Sequence, residues 1–411
     1  MIDIDPERLL RDLHALRSFG AVGDGVVRTA FSPVDMEARD WLVGRMTDAG
    51  LAASIDGVGN VIGRTDGSTR ALLLGSHTDT QPTGGWLDGA LGVIYGLEIA
   101  RAFGETGGSP DIGIDIASWM DEEGTHFSCL GSRSFCGEFT DDELAASESV
   151  QGESIGSLLR RAGLTDRPRS VLDRDRHLGY LEAHIEQGPF LEQSGHRIGV
   201  VTSIVGVRDF VLRFHGSQNH AGTTPMNLRR DAGMAAITVA HGLDAMLAAS
   251  AREATVWTVG DIGFLPGAAS IVPGEAHLHL QVRDGDEAFL DDVSRAVIAH
   301  VEEFDRTAAV DVELASLPDS VGAVDMDARI QEHCAAAAEA LVPGGWMRMQ
   351  SGAAHDAQIL ATKLASGMIF VPSIGGVSHD FQEDTSADDI VLGCQVMAAA
   401  VDAIVKDPAK Q

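Results

Sequence analysis

The sequence predicts an α/β fold with a mixed sheet, interrupted by a smaller α+β domain of ferredoxin-like type. Two observations lead to this prediction. Strand-like and helix-like segments alternate up to residue 206 and resume after residue 317, which is typical of a sheet covered by helices on both faces. Between these positions the predicted order is β-α-β-β-α-β, a split ferredoxin-like unit. We therefore expect a first domain from residues 1–206 and 318–411, and an inserted domain from residues 207–317.

Each predicted element rests on a local pattern. Amphipathic periodicity predicts the first two helices, and the glycine at residue 50 ends the second of them. Short apolar runs rich in β-branched residues predict the strands, and the alternating run GEAHLHLQVRD predicts a strand with one solvated face. The predicted helices cover residues 4–18, 33–50, 89–105, 227–249 and 287–304, and the predicted strands cover residues 52–66, 70–77, 111–120, 207–216, 255–265, 274–284 and 308–316.

Composition and charge exclude several classes of partner. The chain has 411 residues, of which 44% are hydrophobic and 22% charged, an ordinary balance for a folded protein. Its net charge of −31 repels phosphate backbones and anionic membranes, so we expect neither a nucleic-acid nor a membrane partner. The N-terminal segment has no apolar signal region, and the four cysteines form no CxxC pair. We therefore expect a cytoplasmic protein without disulfides.

The first motif that could carry chemistry is GSHTDTQPTGGWLDG, from Gly75 to Gly89. His77 ends a predicted strand, and Asp88 directly precedes a predicted helix. Ligands of open α/β sheets gather at the carboxyl ends of strands, where His77 could bind a metal. Asp79 could then hold the other ring nitrogen of His77, and Asp88 could bridge two metals. Taken alone, the motif also fits an ordinary turn with surface acids.

The acidic run DEE at residues 121–123 follows a second apolar strand. Burying adjacent carboxylates costs free energy unless a cation compensates for their charge. Glu122 and Glu123 can point in different directions, one towards a metal and the other towards a water molecule. A solvated acidic turn is the alternative interpretation.

Four further histidines are candidates for the site, one on a predicted strand and the others in predicted loops. His184 alternates with apolar residues in LEAHIEQGPFLE, His220 lies in the inserted domain, and His355 and His379 lie near the C-terminus. Any one of them alone would be interpreted as an ordinary hydrogen-bonded side chain. The donors that together suggest one metal site are His77, Asp88, Glu123, His184 and His379. A nitrogen and oxygen donor set without thiolates suits Zn²⁺, Mn²⁺, Co²⁺ or Ni²⁺.

Six segments follow one another along the chain: HTDTQPTGGWLDGALGV, DEEGTHF, HIEQGP, NHAGTTPM, SGAAHDA and GGVSH. In this order and spacing they resemble the M20 metallopeptidase-like amidohydrolases, over about Phe31 to Ile404. Within that family they are most similar to the branch of N-carbamoyl-L-amino-acid amidohydrolases, β-ureidopropionases and allantoate amidohydrolases. The resemblance implies a di-metal aminopeptidase-like catalytic domain and a lid domain that also dimerises.

The resemblance implies two divalent metal ions per subunit. The ions would be Zn²⁺, or instead Mn²⁺, Co²⁺ or Ni²⁺. His77, Asp88 and His184 would hold one ion. Asp88, Glu123 and His379 would hold the second ion, so that Asp88 bridges the pair.

The resemblance also implies catalytic and substrate-binding roles. Glu122 would be the general base, and Asp79 would orient the metal ligand His77. His220 would polarise the scissile carbonyl, in its own subunit or in the partner subunit. The implied substrate-binding residues are Gln187, Ser270, Arg283 and His355.

The implied activity is metal-dependent hydrolysis of the ureido C–N bond of an N-carbamoyl-L-amino acid or a related ureido acid. The products would be ammonia, carbon dioxide and the amino acid, and the enzyme would be a homodimer joined through the lid. Ser270 stands where the family commonly has Asn, so allantoate stays open as the substrate. An M20-type aminoacylase or dipeptidase, which cleaves an ordinary amide, also stays open, as does a non-catalytic metal- or ligand-binding protein.

Overall fold

The chain divides into two units in the computed structural model. The main unit comprises Met1–Thr202 and Asp325–Gln411, and the inserted unit comprises Ser203–Val324. The structure describes residues 2–109, 111–150, 152–252, 254–316 and 322–407. The domain boundary predicted between residues 317 and 318 lies outside the described residues.

The described residues form helices and strands in the following order. The helices are α1 (Pro6–Ser18), α2 (Pro33–Asp48), α3 (Ala90–Glu105), α4 (Leu130–Phe135), α5 (Asp141–Ala146), α6 (Ile155–Arg161), α7 (Phe190–Ser194), α8 (Ala232–Ser250), α9 (Glu287–Thr307), α10 (Ala328–Leu341), α11 (Asp356–Ala361) and α12 (Ala387–Lys406). The strands are β1 (Ala21–Val22), β2 (Gly25–Val26), β3 (Leu51–Ile55), β4 (Val61–Thr65), β5 (Arg70–His77), β6 (Ile112–Trp119), β7 (His177–Ile185), β8 (Ile198–Ile204), β9 (Gly206–His215), β10 (Asn219–His220), β11 (Val256–Leu265), β12 (Ile271–Val272), β13 (Glu275–Asp284), β14 (Asp311–Ser316), β15 (Val324–Asp325), β16 (Trp346–Ser351) and β17 (Ser366–Val371).

A mixed sheet forms the centre of the main unit. From β8 its strands follow the order β8-β17-β7-β5-β6-β4-β3, and β16 also pairs with β8. The four central strands β17, β7, β5 and β6 are parallel to one another. Every residue of β6 is buried, as expected for a parallel strand with helices over both faces of its sheet. The predicted mixed α/β sheet is confirmed.

The inserted unit has its own four-stranded antiparallel sheet. Its order is β11-β13-β9-β14, and the chain passes through it as β9-α8-β11-β13-α9-β14, which is the ferredoxin-like arrangement. Side chains along β13 alternate between buried and more exposed positions, because α8 and α9 share a hydrophobic core with one face of the sheet. The predicted inserted α+β domain is confirmed.

Helix α8 begins later than the predicted residue 227. Residues Met226–Leu228 form a separate 3₁₀ turn, and Asp231 then caps α8 by accepting a hydrogen bond from the amide of Met234 at 3.0 Å. By length and composition alone, α8 could cross a membrane, and no other helix of the described residues meets that criterion. Core helices of soluble proteins have the same properties, and one face of α8 lies in the core of the inserted unit.

The main unit is interrupted after Thr202 and resumes at Asp325, and these two points lie next to each other. The amide of Met326 donates a hydrogen bond to the carbonyl of Thr202 at 2.9 Å. The chain therefore leaves the main unit and returns to it at nearly the same point.

Candidate metal centre and active site

The candidate site lies at the carboxyl ends of four neighbouring strands of the main sheet. His77 is the last residue of β5, and His184 is the penultimate residue of β7. Glu122 and Glu123 follow β6, and His379 follows β17. Because these four strands are parallel neighbours, their carboxyl ends meet at one edge, where open α/β sheets bind their ligands.

His77, Asp88 and His184 form the first group of possible metal ligands, with their donor atoms within 4.8 Å of one another. All three side chains are buried. The Nε2 atoms of His184 and His77 lie 3.0 Å and 3.7 Å from Asp88 Oδ1. Each ring turns its Nδ1 to a backbone carbonyl, that of Ile185 for His184 and that of Asp79 for His77. These contacts direct both Nε2 atoms at the same carboxylate oxygen.

Asp88, Glu123 and His379 form the second group, again within 4.8 Å. His379 Nε2 lies 3.3 Å from Asp88 Oδ2 and 3.6 Å from Glu123 Oε2. Asp88 thus presents Oδ1 to the first group and Oδ2 to the second. One carboxylate is shared between the two groups.

Gly89 allows Asp88 to reach this position. Its φ of 63° lies in the left-handed region, where residues with a side chain are strained. A Cβ atom at Gly89 would also lie 2.3 Å from His77 Nε2. Any larger residue there would displace the ring of His77 or the start of α3.

The two groups fit a pair of divalent cations. Glu123 Oε1 is buried and has no hydrogen-bond partner among the described residues, so it is available as a metal ligand. Burial and the nearby Asp88 carboxylate raise the pKa of Glu123 to about 8, because the site as it stands has too little positive charge to compensate for its carboxylates. Two cations would remove that imbalance. The nitrogen and oxygen donors suit Zn²⁺, Mn²⁺, Co²⁺ or Ni²⁺.

Glu122 lies beside both groups without belonging to either. Its Oε2 atom is 3.5 Å from His77 Nε2, and the residue is 9% exposed. Burial, with Asp356 and Glu123 nearby, raises its pKa well above the usual range of a glutamate. A carboxylate in this position can accept a proton from a water molecule held at the ligand groups and can keep that proton.

Asp79 contacts the second ring nitrogen of His77 through its backbone carbonyl. The backbone carbonyl of Asp79, and not its carboxylate, lies 3.0 Å from His77 Nδ1, because the chain turns directly after β5. The carboxylate instead accepts hydrogen bonds from the amides of Asp121 at 3.1 Å and Glu123 at 3.3 Å. It therefore holds the backbone on both sides of Glu122.

Two of the expected substrate-binding residues lie in the main unit. Gln187 Nε2 donates a hydrogen bond to Asp88 Oδ2 at 3.1 Å and lies 3.4 Å from His379 Nε2, so this side chain adjoins the second group. His355 is 1% exposed, and its ring centroid lies 4.6 Å from that of His184. Its Nε2 atom lies 2.9 Å from Ser351 Oγ. His355 therefore packs against His184, a member of the first group.

The other two, Ser270 and Arg283, lie in the inserted unit, as does the expected catalytic residue His220. Strand β10 ends at His220 and pairs with β12, and the amide of Ala221 donates to the carbonyl of Ser270 at 2.9 Å. His220 and Ser270 are therefore neighbours along the backbone pairing. Arg283 is the penultimate residue of β13, and its Nε atom donates to Gln281 Oε1 at 2.8 Å.

Two buried residues that support the site were not predicted from the sequence. Arg39 of α2 donates hydrogen bonds to Asp79 Oδ1 at 3.4 Å and to the carbonyl of Trp119 at 3.1 Å. Glu383 accepts a hydrogen bond from the amide of Asp88 at 3.1 Å. The only sequence signal for Glu383 is its position four residues after His379, which does not reveal that it is buried.

Comparisons with known proteins agree with this geometry. Residues 73–403 match the model of Peptidase family M20/M25/M40. An N-carbamoyl-L-amino-acid amidohydrolase of Paenarthrobacter aurescens is 34% identical over 405 residues, which are 97% of this chain and 98% of that protein. An allantoate amidohydrolase of Bacillus subtilis (strain 168) is 32% identical over 394 residues, 93% of either chain. Among solved structures, an amidase of the hydantoinase/carbamoylase family from Burkholderia phymatum is 53% identical, with a TM-score of 0.89 over 100% of both chains.

Proposed function

We propose that this protein, which belongs to the M20 peptidase family and to its hydantoinase/carbamoylase amidase branch, hydrolyses the ureido C–N bond of N-carbamoyl-L-amino acids. The protein is a metal-dependent amidohydrolase that acts on C–N bonds other than peptide bonds. The proposed products are ammonia, carbon dioxide and the free amino acid. The observation that carries the proposal is the position of Glu122 beside two ligand groups that share Asp88. Hydrolysis of an unreactive ureido group needs a base and electrophilic assistance in one place.

Glu122 is proposed as the general base. Two divalent cations bound at the shared ligand groups would supply Lewis acidity and a water molecule of lowered pKa. Glu122 takes the proton of the attacking water, for which its carboxylate beside His77 is well placed. Because burial favours the protonated form, the side chain can then hold that proton until the departing nitrogen accepts it.

The remaining proposed roles concern the substrate. His220 donates a hydrogen bond to the carbonyl oxygen under attack and so stabilises the developing negative charge. Arg283 binds the substrate carboxylate, because a guanidinium can donate two parallel hydrogen bonds to it. Ser270 adds a hydroxyl, and Gln187 and His355 contribute polar groups from the main unit.

Allantoate is the second candidate substrate. It is supported by the similarity to the allantoate amidohydrolase of Bacillus subtilis, and Ser270, in place of the common Asn, leaves the substrate assignment within the branch open. An aminoacylase or dipeptidase could use the same base and ligands, so only its products would differ. A non-catalytic protein is disfavoured because Glu122 and both ligand groups are present.

The deciding experiment measures the release of ammonia and of the free amino acid from a panel of ureido acids and N-acetyl amino acids. Metal-free protein would be loaded with Zn²⁺, Mn²⁺, Co²⁺ or Ni²⁺ and given N-carbamoyl-L-amino acids, N-carbamoyl-β-alanine, allantoate and N-acetyl amino acids, with Glu122→Gln as the inactive control. The proposal predicts the fastest ammonia release from an N-carbamoyl-L-amino acid. Ammonia from allantoate alone would reassign the substrate, and cleavage of N-acetyl amino acids alone would replace the proposed reaction by that of an aminoacylase.

We also propose a homodimer joined through the inserted unit. Strand β11 is an edge strand of its sheet and exposes apolar side chains, among them Val256, Ile262 and Leu265. An unpaired apolar edge is a ready surface for a second copy of the chain. Light scattering after size exclusion should give the mass of a dimer, and Ile262→Lys should shift it towards the monomer. Val171→Lys, at an exposed apolar residue of the main unit, is the control, and a monomeric unaltered protein would contradict the proposal.

A further inference from the structure

We infer that Glu383 is a positioning residue that joins the segment carrying Asp88 to the segment carrying His379 and thereby sets the second ligand group. The inference rests on the proposed function, since it concerns the cation held by that group. Glu383 itself belongs to neither ligand group.

Both carboxylate oxygens of Glu383 are occupied by these two segments. Oε1 accepts hydrogen bonds from the amides of Leu87 at 3.3 Å and Asp88 at 3.1 Å. Oε2 accepts a hydrogen bond from the hydroxyl of Ser378 at 2.9 Å. One side chain thus contacts the backbone of the shared ligand and the residue before His379. Glu383 is 2% exposed, so water does not replace these contacts.

The glycine at residue 85 makes room for this carboxylate. A Cβ atom at Gly85 would lie 1.9 Å from Glu383 Oε1 and 2.5 Å from Glu383 Cβ, distances that no folded chain tolerates. The second glycine of the motif TGGWLDG, Gly85, therefore has a spatial explanation. It lets the segment before Asp88 pass directly against Glu383.

Two other hydrogen bonds join the same segments, but they differ from those of Glu383 in their partners. Thr83 Oγ1 donates to the carbonyl of His379 at 3.4 Å, and Trp86 Nε1 donates to Asp384 Oδ1 at 3.2 Å. Neither of these links reaches Asp88. A charged acceptor also forms stronger hydrogen bonds than a neutral one, particularly when it is buried.

A glutamine replaces this carboxylate only in part. Its side chain has nearly the same shape, but one of its two oxygens becomes an NH₂ group that cannot accept a hydrogen bond. If the remaining oxygen stays with the amides of Leu87 and Asp88, the NH₂ group can only donate to Ser378, and the two amides meet a neutral acceptor in place of a charged one, which binds them more weakly. The distance between Asp88 Oδ2 and His379 Nε2 would no longer be fixed by Glu383.

The test is Co²⁺ titration of the metal-free full chain, followed by the visible absorption of the ion, by total metal analysis and by competition with a chelator. Glu383→Gln should retain the first binding event and weaken the second by about 10–100-fold, the usual effect of removing a hydrogen-bond partner of a ligand. Asp384→Asn is the matched control, because Asp384 joins the same segments without contacting Asp88, and its second affinity should be that of the unaltered protein. Circular dichroism and the Tm of the metal-free proteins show whether each variant is folded.

Each outcome separates this inference from the proposed function. If the unaltered protein binds fewer than two ions or hydrolyses no ureido acid, the proposed function fails. If it binds two ions and Glu383→Gln binds the second with unchanged affinity, the positioning role is overturned. Should Glu383→Gln not fold, Ser378→Ala removes only the contact to Oε2. A weaker second event in Ser378→Ala supports the inference, and an unchanged one overturns it.

Discussion

Asp79 holds Glu123 through a hydrogen bond of 3.3 Å from the Glu123 amide to Asp79 Oδ2. The other oxygen of this carboxylate accepts the amide of Asp121, so Asp79 spans the residue between them, Glu122. Meanwhile the backbone carbonyl of Asp79 contacts His77. A single residue thus relates a ligand of the first group to a ligand of the second group and to the proposed base.

Asp79→Asn is therefore predicted to impair catalysis even though the ring of His77 contacts only the backbone of residue 79. The new NH₂ group cannot accept an amide, so Glu122 and Glu123 lose part of their support. We expect kcat to fall by about 10–100-fold at saturating metal. Steady-state kinetics with metal titration would check this, with Asp40→Asn as an exposed control. A kcat equal to that of the unaltered protein would show that the two amide contacts are dispensable.

Glu122→Gln should remove the base while leaving the ligands in place. Glutamine cannot accept the proton of the attacking water, and general-base catalysis typically contributes about 10²–10⁴-fold. We expect kcat to fall by at least that factor, with two metal ions still bound per chain. Metal analysis and kinetics on the same sample would check both parts. Turnover at the original rate would assign the base to another residue.

His379→Ala should bring the metal content towards one ion per chain. The first group keeps all its members, whereas the second keeps only Asp88 and Glu123. Elemental analysis after dialysis would measure the content, with His196→Ala as a control at a histidine outside both groups. Two tightly bound ions in His379→Ala would remove His379 from the ligands.

His220→Ala should lower kcat by about 10²–10³-fold without changing the metal content, as expected for a group that stabilises the oxyanion. Mixing this variant with Glu122→Gln shows in which subunit His220 acts. If it acts in the partner, the hybrid dimer has one intact site, and roughly a quarter of the activity returns. If it acts in its own subunit, mixing restores nothing. An unimpaired His220→Ala would contradict the role itself.

Asp115 of β6 is predicted to make stability depend on pH. Burial alone would raise its pKa, but hydrogen bonds from His177 and Arg176 bring the pKa below the usual value of an aspartate. The folded state therefore gains stability from ionised Asp115 above the unfolded-state pKa of about 3.9, and loses it as the pH falls through the lower folded-state pKa. Asp115→Asn should cost about 3 kcal/mol at pH 7, because it leaves Arg176 without its carboxylate, and less in acid. Urea unfolding at several pH values would check this. An equal loss at all pH values would contradict it.

Local sequence patterns predicted the positions of His77 and Glu122 because apolar strands end just before or at these residues. The same patterns could not show that His379 and His184 approach one carboxylate. That relationship depends on β17 lying next to β7, a pairing between segments far apart in the sequence. The joint pattern of the donors suggested one metal site, and the resemblance to a family divided them into two ligand groups.

The remaining differences concern the directions of side chains and the details of loops. Asp79 was expected to hold the second ring nitrogen of His77, and it does so with its backbone carbonyl, which the turn after β5 brings there. Helix α8 starts at Ala232 because Asp231 offers a cap that an amphipathic pattern does not reveal. Glu383 could not be predicted because an acidic residue after a glycine-rich loop is ordinarily solvated. Glu383 is buried because the backbone of Gly85 packs directly against its side chain. Only the folded structure reveals this contact.

The hydrogen bond between Met326 and Thr202 means that the host protein is almost closed without its insertion. Because Thr202 and Met326 already hold the two ends of the insertion together, a longer insertion adds little to the entropic cost of folding the main unit. Changes in the length of the insertion away from His220, Ser270 and Arg283 would therefore cost the main unit little in loop-closure entropy. The candidate metal ligands and the proposed substrate-binding residues His220, Ser270 and Arg283 are thus carried on two units of one chain.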